Sequence, residues 1–359
     1  MQKMTYVILC VCLLVILACI LVGLHQYRVA ISEGLGKQQP AQHLASVSNS
    51  SGHAKIPAPA SVHTEPAVMQ VPKGEREPRR PFQAEPFVWN GAPLSPQLQL
   101  ALGIGNQAPT QERMVAIHEL AKNLKDYEID ALCEFLLNKH RYAEDLSAVK
   151  NDILDALMAQ ETLPDRLQKD MLTIFRDKEY EEWWRNYVVQ HFALYYPRKW
   201  PKDGVVAADD PTRQEMIHAY WDALDETRTS IAGTALLGIE RMSGGYSEFD
   251  RGRIGQEALD LASDEKADVR SRTAAVQVAG KMGKAEILPM ARKLANSGGS
   301  VPLRMSSIAA IGQVGGKDDA EFLRNMEKHS DGYLRKAVTS ALKQLEKRTS
   351  TASTPEPAS

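Results

Sequence analysis

The chain lacks the features that most directly reveal a function. Its 359 residues hold four cysteines, and three of these (Cys10, Cys12, Cys19) fall in an apolar N-terminal run. That leaves Cys133 alone, which excludes a disulfide framework; on an apolar helical stripe it reads as a structural thiol. Charge of one sign is missing too: 43 Lys and Arg stand against 45 Asp and Glu. A balance of −2 supplies no global basic field, so no nucleic-acid partner is expected. No stretch alternates apolar and polar with period two, so strands are not expected.

Chemical motifs are absent as well. The sequence contains no Gly-x-Ser-x-Gly elbow and no phosphate-cradling glycine loop. Gly103-Ile-Gly105 opens a dinucleotide fingerprint but neither completes it nor follows a strand. His118, His140, His191, His218 and His329 are scattered, with no pair at zinc-ligand spacing. The reading is therefore no catalytic residue, no cofactor, no metal site, and a protein that is not an enzyme.

Long apolar runs are confined to one place. Thr5–Leu24 carries no charge, and thirteen of its residues are Leu, Ile or Val. Twenty helical residues span about 30 Å, the thickness of a bilayer core. A single transmembrane anchor follows, behind a short tail, 1–4. A lipoprotein signal ending at Ile16-Leu17-Ala18-Cys19 and a cleaved signal peptide are the alternatives. The flanking charges nearly tie, and the short tail favours an extracytoplasmic position for the rest of the chain.

Residues 25–96 read as a disordered linker. Ten of the nineteen prolines lie there, and large apolar residues are few before Phe82. The linker ends in Phe82, Phe87 and Trp89, aromatics suited either to covering the first helix of a folded body or to engaging a partner.

From 97 to 348 the apolar spacing is helical almost throughout, followed by a short disordered tail, 349–359. One pattern recurs. Arg272-Thr-Ala-Ala-Val-Gln-Val-Ala-Gly280-Lys-Met-Gly283 aligns with Arg304-Met-Ser-Ser-Ile-Ala-Ala-Ile-Gly312-Gln-Val-Gly315, 32 residues on. A third copy begins at Arg335, loses the glycines and gains charge, as a terminal repeat should. Glycine is expected to end each repeated helix, and Asp268 and Asp331 are expected to cap the starts and pair with the arginine four residues on. Carried backwards, starts fall near 113, 151, 185, 230, 272, 304 and 335. Companion helices lie between them, such as Tyr127–Lys139 and Arg213–Thr227.

These residues, over about 268–345, resemble HEAT repeats, in particular their short bacterial form. The resemblance implies an all-α fold, a right-handed α-solenoid of about seven degenerate helical hairpins, used as a protein-binding scaffold.

Aromatics are scarce, at 6% of the chain, yet eleven of the twenty-three lie between Phe175 and Trp221. A loop, Pro197–Pro211, interrupts them. Such a cluster is either a bulky core or a binding groove. Trp183, Trp184, Tyr187, Tyr195, Tyr196, Trp200 and Trp221 are the candidate partner-binding residues. Adjacent Trp183 and Trp184 cannot share one face, since helical neighbours sit about 100° apart. The function expected is a membrane-anchored, single-pass scaffold that binds a protein partner. The alternative is an envelope lipoprotein, or a ligand-binding or enzymatic protein, with its site at 175–221.

Overall fold

Helix follows helix through residues 87–105, 108–139, 144–202, 204, 210–330 and 332–351, which the computed structural model describes. The chain divides into two compact units, Met1–Arg76 and Glu77–Ser359, and every described residue belongs to the second. The expected anchor 5–24 and most of the expected linker thus lie outside the described residues. Among the described residues, no helix is long and apolar enough to cross a membrane.

Fourteen α-helices are described, with no strand. They are α1 (Pro96–Leu102), α2 (Thr110–His118), α3 (Asp126–Leu137), α4 (Glu144–Met158) and α5 (Leu167–Arg176). Then come α6 (Glu182–Lys199), α7 (Pro211–Leu224), α8 (Ile231–Ser243), α9 (Arg251–Ser263) and α10 (Val269–Lys281). A 3-10 turn, Ala285–Ile287, leads into α11 (Leu288–Ala295), followed by α12 (Val301–Val314), α13 (Lys317–His329) and α14 (Gly332–Thr351). The even-numbered helices form one layer in which each packs on the next, from α2 to α14. The odd-numbered helices form the second layer, and a continuous apolar core runs between the two. This is the stacking of an α-solenoid, in which each unit buries its apolar stripe against its neighbours.

The expected starts all fall on the even layer. Each even helix packs more closely against the odd helix before it than against the one after it. The hairpin therefore closes half a unit earlier than the sequence register suggests.

The repeated arginine does not serve the role expected of it. Asp268 caps α10, accepting from the amide of Arg270, but its ion pair is also with Arg270. Arg272 reaches backwards instead, its Nε donating to the carbonyl of Ala262 in the last turn of α9. Ser300 makes no side-chain cap at α12, and Asp331 lies outside the described residues.

The repeated glycine is likewise corrected. Gly280 and Gly312 lie inside α10 and α12, not at their ends. A Cβ on Gly312 would sit 2.7 Å from Cα of Ala341, and one on Gly280 3.0 Å from Cα of Ala310. Glycine recurs there because consecutive even helices nearly touch. The left-handed residue after α10 is Gly283, with φ of 72°, while Gly315 has an ordinary φ of −66°.

Three boundaries shift. Leu94 is buried and Ser95 caps α1, so the last residues of the expected linker belong to the body. Phe87 meets Phe135 edge to face at 5.2 Å, which covers α3 from this side. Helix α6 runs through Pro197 to Lys199, shortening the central loop, and α14 runs on to Thr351.

Candidate interaction surface

Most of the central aromatics are core. Tyr195 and Tyr196 are fully buried, and Trp184 and Trp200 are 2% and 3% exposed. Tyr196 is the hub, with ring centroids of Trp200, Tyr246 and Phe249 at 5.0, 5.2 and 5.3 Å. Phe249 leads on to Tyr220 at 5.7 Å, Tyr220 to Phe192 at 5.3 Å, and Phe192 to Phe175 at 5.8 Å. Most of these contacts are edge to face, each worth about 0.5–1.5 kcal/mol beyond burial. Among the described residues, Trp184, Tyr195, Tyr196 and Trp200 therefore form no exposed surface; of the two readings of the cluster, these four fit the bulky core. The widest part of the array simply needs the largest side chains to fill it. Tyr246 and Phe249 join the network from the loop between α8 and α9, a role their loop position hid; two aromatics within a seven-residue loop were the available signal.

A polar clasp ties the hub down. The hydroxyl of Tyr196 donates to Oε1 of Glu248 and accepts from Nε of Arg213 at 2.9 Å. Burial pushes the Tyr196 hydroxyl well above its ordinary value. Burial pushes the Glu248 carboxyl up as well, but hydrogen bonds from Tyr196 and Arg213 outweigh it and leave the group below its ordinary value.

Three of the seven candidates reach the surface. Tyr187 and Trp221 are half-buried, and Trp221 lies under the guanidinium of Arg253, 3.7 Å from the ring centroid. Trp183 is 53% exposed, opposite in facing to Trp184, as the 100° offset requires.

Trp183 belongs to a row that the seven candidates do not contain. It occupies the first turn of α6; Val269 and Val301 open α10 and α12, and Tyr333 lies in the first turn of α14. All are exposed, Tyr333 at 74%. Val269, Val301 and Tyr333 are spaced 32 residues apart, so the repeat places them at equivalent points along one edge. The signal was legible in the same register as the arginines. At α8 the row is interrupted, because Ile231 is buried. The first turns of α6 and α10 close that gap themselves: Arg270 lies over the Trp183 ring at 4.7 Å and reaches Oε1 of Glu182 at 3.4 Å. The amide of Ser230 also faces Glu182, at 3.3 Å. Trp183 is thus held in place by a cation over its face while its other side remains open.

Among the described residues, no three His, Cys, Asp or Glu side chains converge as a metal site would require. Cys133 is buried, and desolvation pushes its thiol up to about 12.

Comparison with known proteins adds the following. No curated protein matches the sequence. Among solved structures, the chain is similar to human deoxyhypusine hydroxylase in complex with glycerol, at 15% identity and a TM-score of 0.28, covering 70% of this chain and 97% of that one. The expectation that this protein is not an enzyme does not stand, because HEAT repeats by themselves show neither the presence nor the absence of catalysis; a likeness of this size assigns no activity here. The model of HEAT repeats matches residues 256–343, the segment spanning α9 to α14 in which the arginine and glycine pattern is clearest, and this segment belongs to the HEAT-repeat family.

Proposed function

We propose that the protein is a helical-repeat scaffold that binds a protein partner along the edge formed by Trp183, Val269, Val301 and Tyr333. The observation that supports this reading is the row itself: large apolar side chains exposed at equivalent positions of four even-numbered helices. An isolated exposed apolar residue needs no explanation, whereas an aligned row does. Its two aromatic members are the residue types that most often anchor interfaces. Solenoids use such extended surfaces for binding, and the HEAT resemblance implies a right-handed array of about seven hairpins. Thr5–Leu24 would fix the scaffold in a membrane as a single-pass anchor, residues 25–86 would give it reach, and the body would face the extracytoplasmic side; these three statements rest on the sequence.

Affinity capture from detergent-solubilised membranes tests the surface. Trp183→Ala and Tyr333→Ala should each fold and each lose a protein that the parent retains. Equal recovery by parent and both variants would refute the edge as the binding surface. Deleting 5–24 should release the chain from membranes, and sedimentation with membranes in high salt after the deletion would count against the anchor.

A further inference from the structure

The bend that precedes α1 carries a reactive pair. Asn90-Gly91 is the one Asn-Gly step in the sequence, and both residues are exposed. Packing imposes the glycine. The ring of Trp89 lies over it, so that an added Cβ would fall 2.1 Å from Cζ2. That ring is held in place, because its Nε1 donates to the carbonyl oxygen of Ala92 at 2.8 Å and spans the pair. A side chain at position 91 would have to push the indole aside and break this bond. Asn90 is therefore followed by a backbone amide with no Cβ beside it, open to close approach.

Neither the amide nitrogen of Gly91 nor the side chain of Asn90 makes a hydrogen bond among the described residues. Other asparagines are placed differently. Asn151, Asn186 and Asn325 lie inside α4, α6 and α13, where the next amide belongs to the helical ladder. Asn123 precedes Leu124, whose amide donates to Oε1 of Gln160 at 3.0 Å. Asn296 precedes Ser297, whose amide donates to the carbonyl oxygen of Leu294 at 3.1 Å.

We propose that Asn90 is a site of spontaneous deamidation. The amide nitrogen of Gly91 loses its proton and attacks Cγ of Asn90. The new N–Cγ bond closes a five-membered imide, and the Cγ–Nδ2 bond breaks, with Nδ2 leaving as ammonia. Water then opens the imide at either carbonyl, giving an aspartyl or an isoaspartyl residue at position 90. The product matters because Asn90 lines one cleft with Asp130, Glu134 and Arg166. Arg166 already pairs with Asp130, Glu134 and Asp170, at 2.8, 2.9 and 2.7 Å. Deamidation adds a further carboxylate to that cluster, and the isoaspartyl form also lengthens the backbone of the bend. Both changes act on the segment that seats Phe87 against Phe135.

Incubation of the full-length protein in mildly alkaline buffer, followed by digestion and mass spectrometry of its peptides, tests this. The peptide holding Asn90 should gain the mass of an amide-to-acid exchange before those holding Asn123, Asn151 or Asn296, and should separate into aspartyl and isoaspartyl forms. Asn90→Gln should lose the gain at this position, because its longer side chain cannot close the five-membered ring. Gly91→Ala should slow the gain severalfold. Conversion of the other three asparagines ahead of Asn90, or a Gly91→Ala protein that reacts as fast as the parent, would overturn the proposal.

Discussion

The Nε of Arg272 donates to the carbonyl oxygen of Ala262 at 3.2 Å, across the turn between α9 and α10. The last four carbonyls of a helix have no partner within it, and they carry the negative end of its dipole. Arg272 answers both needs at once. The same bond recurs from Arg113 to Ala101, Arg185 to Phe175, Arg304 to Ala295 and Arg335 to Ser330. At α4, Lys150 takes the place and reaches Leu136 and Asn138. In six of the seven repeats the basic residue is thus the C-terminal cap of the helix before it, which favours closure of the hairpin in that direction; α8, which opens after Ser230, is the exception among the described residues.

Arg272→Met keeps the aliphatic stem and removes the donor. It should cost about 1–3 kcal/mol, the expense of leaving a buried carbonyl unpaired. Unfolding by urea should show the loss as a lower midpoint. If the cap were the Asp268–Arg272 pair expected from spacing alone, Asp268→Asn would cost as much; it should instead cost less, because an Asn side chain can still accept from the amide of Arg270.

Gly312→Ala separates the two roles a glycine can have. Gly312 has helical φ, so a methyl group there strains no backbone angle; it collides with Ala341, 2.7 Å from its Cα. Overpacking of this kind costs about 1–3 kcal/mol. Gly283→Ala meets no atom within 4 Å but must hold φ of 72°, at about 1–2 kcal/mol. Thermal unfolding should show both losses. A neutral Gly312→Ala would mean that α12 and α14 lie further apart than this.

The architecture was largely legible because arginine and glycine recur at a fixed period, and a period survives even when the role of each residue is misread. Gly280 and Gly312 were seen as a pair from their spacing, but a helix end and a close helix crossing demand the same residue for different reasons. The aromatic centre was less legible. Tyr195 and Tyr196 are adjacent yet both buried, because α6 packs on α4 and α8 within its own layer and on α5 and α7 of the other, which leaves little free face. Sequence periodicity reports one buried stripe and underestimates a helix packed on several sides. Val269, Val301 and Tyr333 were missed because the register was searched for what each unit buries rather than for what it exposes.

Lys150 should make stability depend on pH. Burial pulls its amine down to about 7, with Glu181 opposing the shift. The unfolded amine keeps its ordinary value of 10.5. Between these values the unfolded chain holds the proton more tightly than the folded one. Stability attributable to Lys150 therefore rises with pH across that window, by at most about 1.4 kcal/mol per unit. Urea unfolding at pH 7, 8 and 9 should show a steeper rise for the parent than for Lys150→Met. Equal slopes would mean that the amine stays charged in the fold.

Trp183 and Trp184 give the cleanest separation of surface from core. Trp184 is 2% exposed and packs beside Lys150, whose Nζ is 5.5 Å from the ring centroid. Trp184→Ala opens a large cavity in the middle of the array and should cost about 3–5 kcal/mol. Trp183 loses only a half-exposed ring and its contact with Arg270, a difference of about 1 kcal/mol at most. Circular dichroism melts of the two single variants should differ widely. The consequence for function is direct: a partner lost on Trp184→Ala reports a damaged fold, whereas a partner lost on Trp183→Ala, with the melt unchanged, reports a contact. The single variant at Trp183 is therefore the one that can identify a binding surface, and combining it with Trp184→Ala would hide the result.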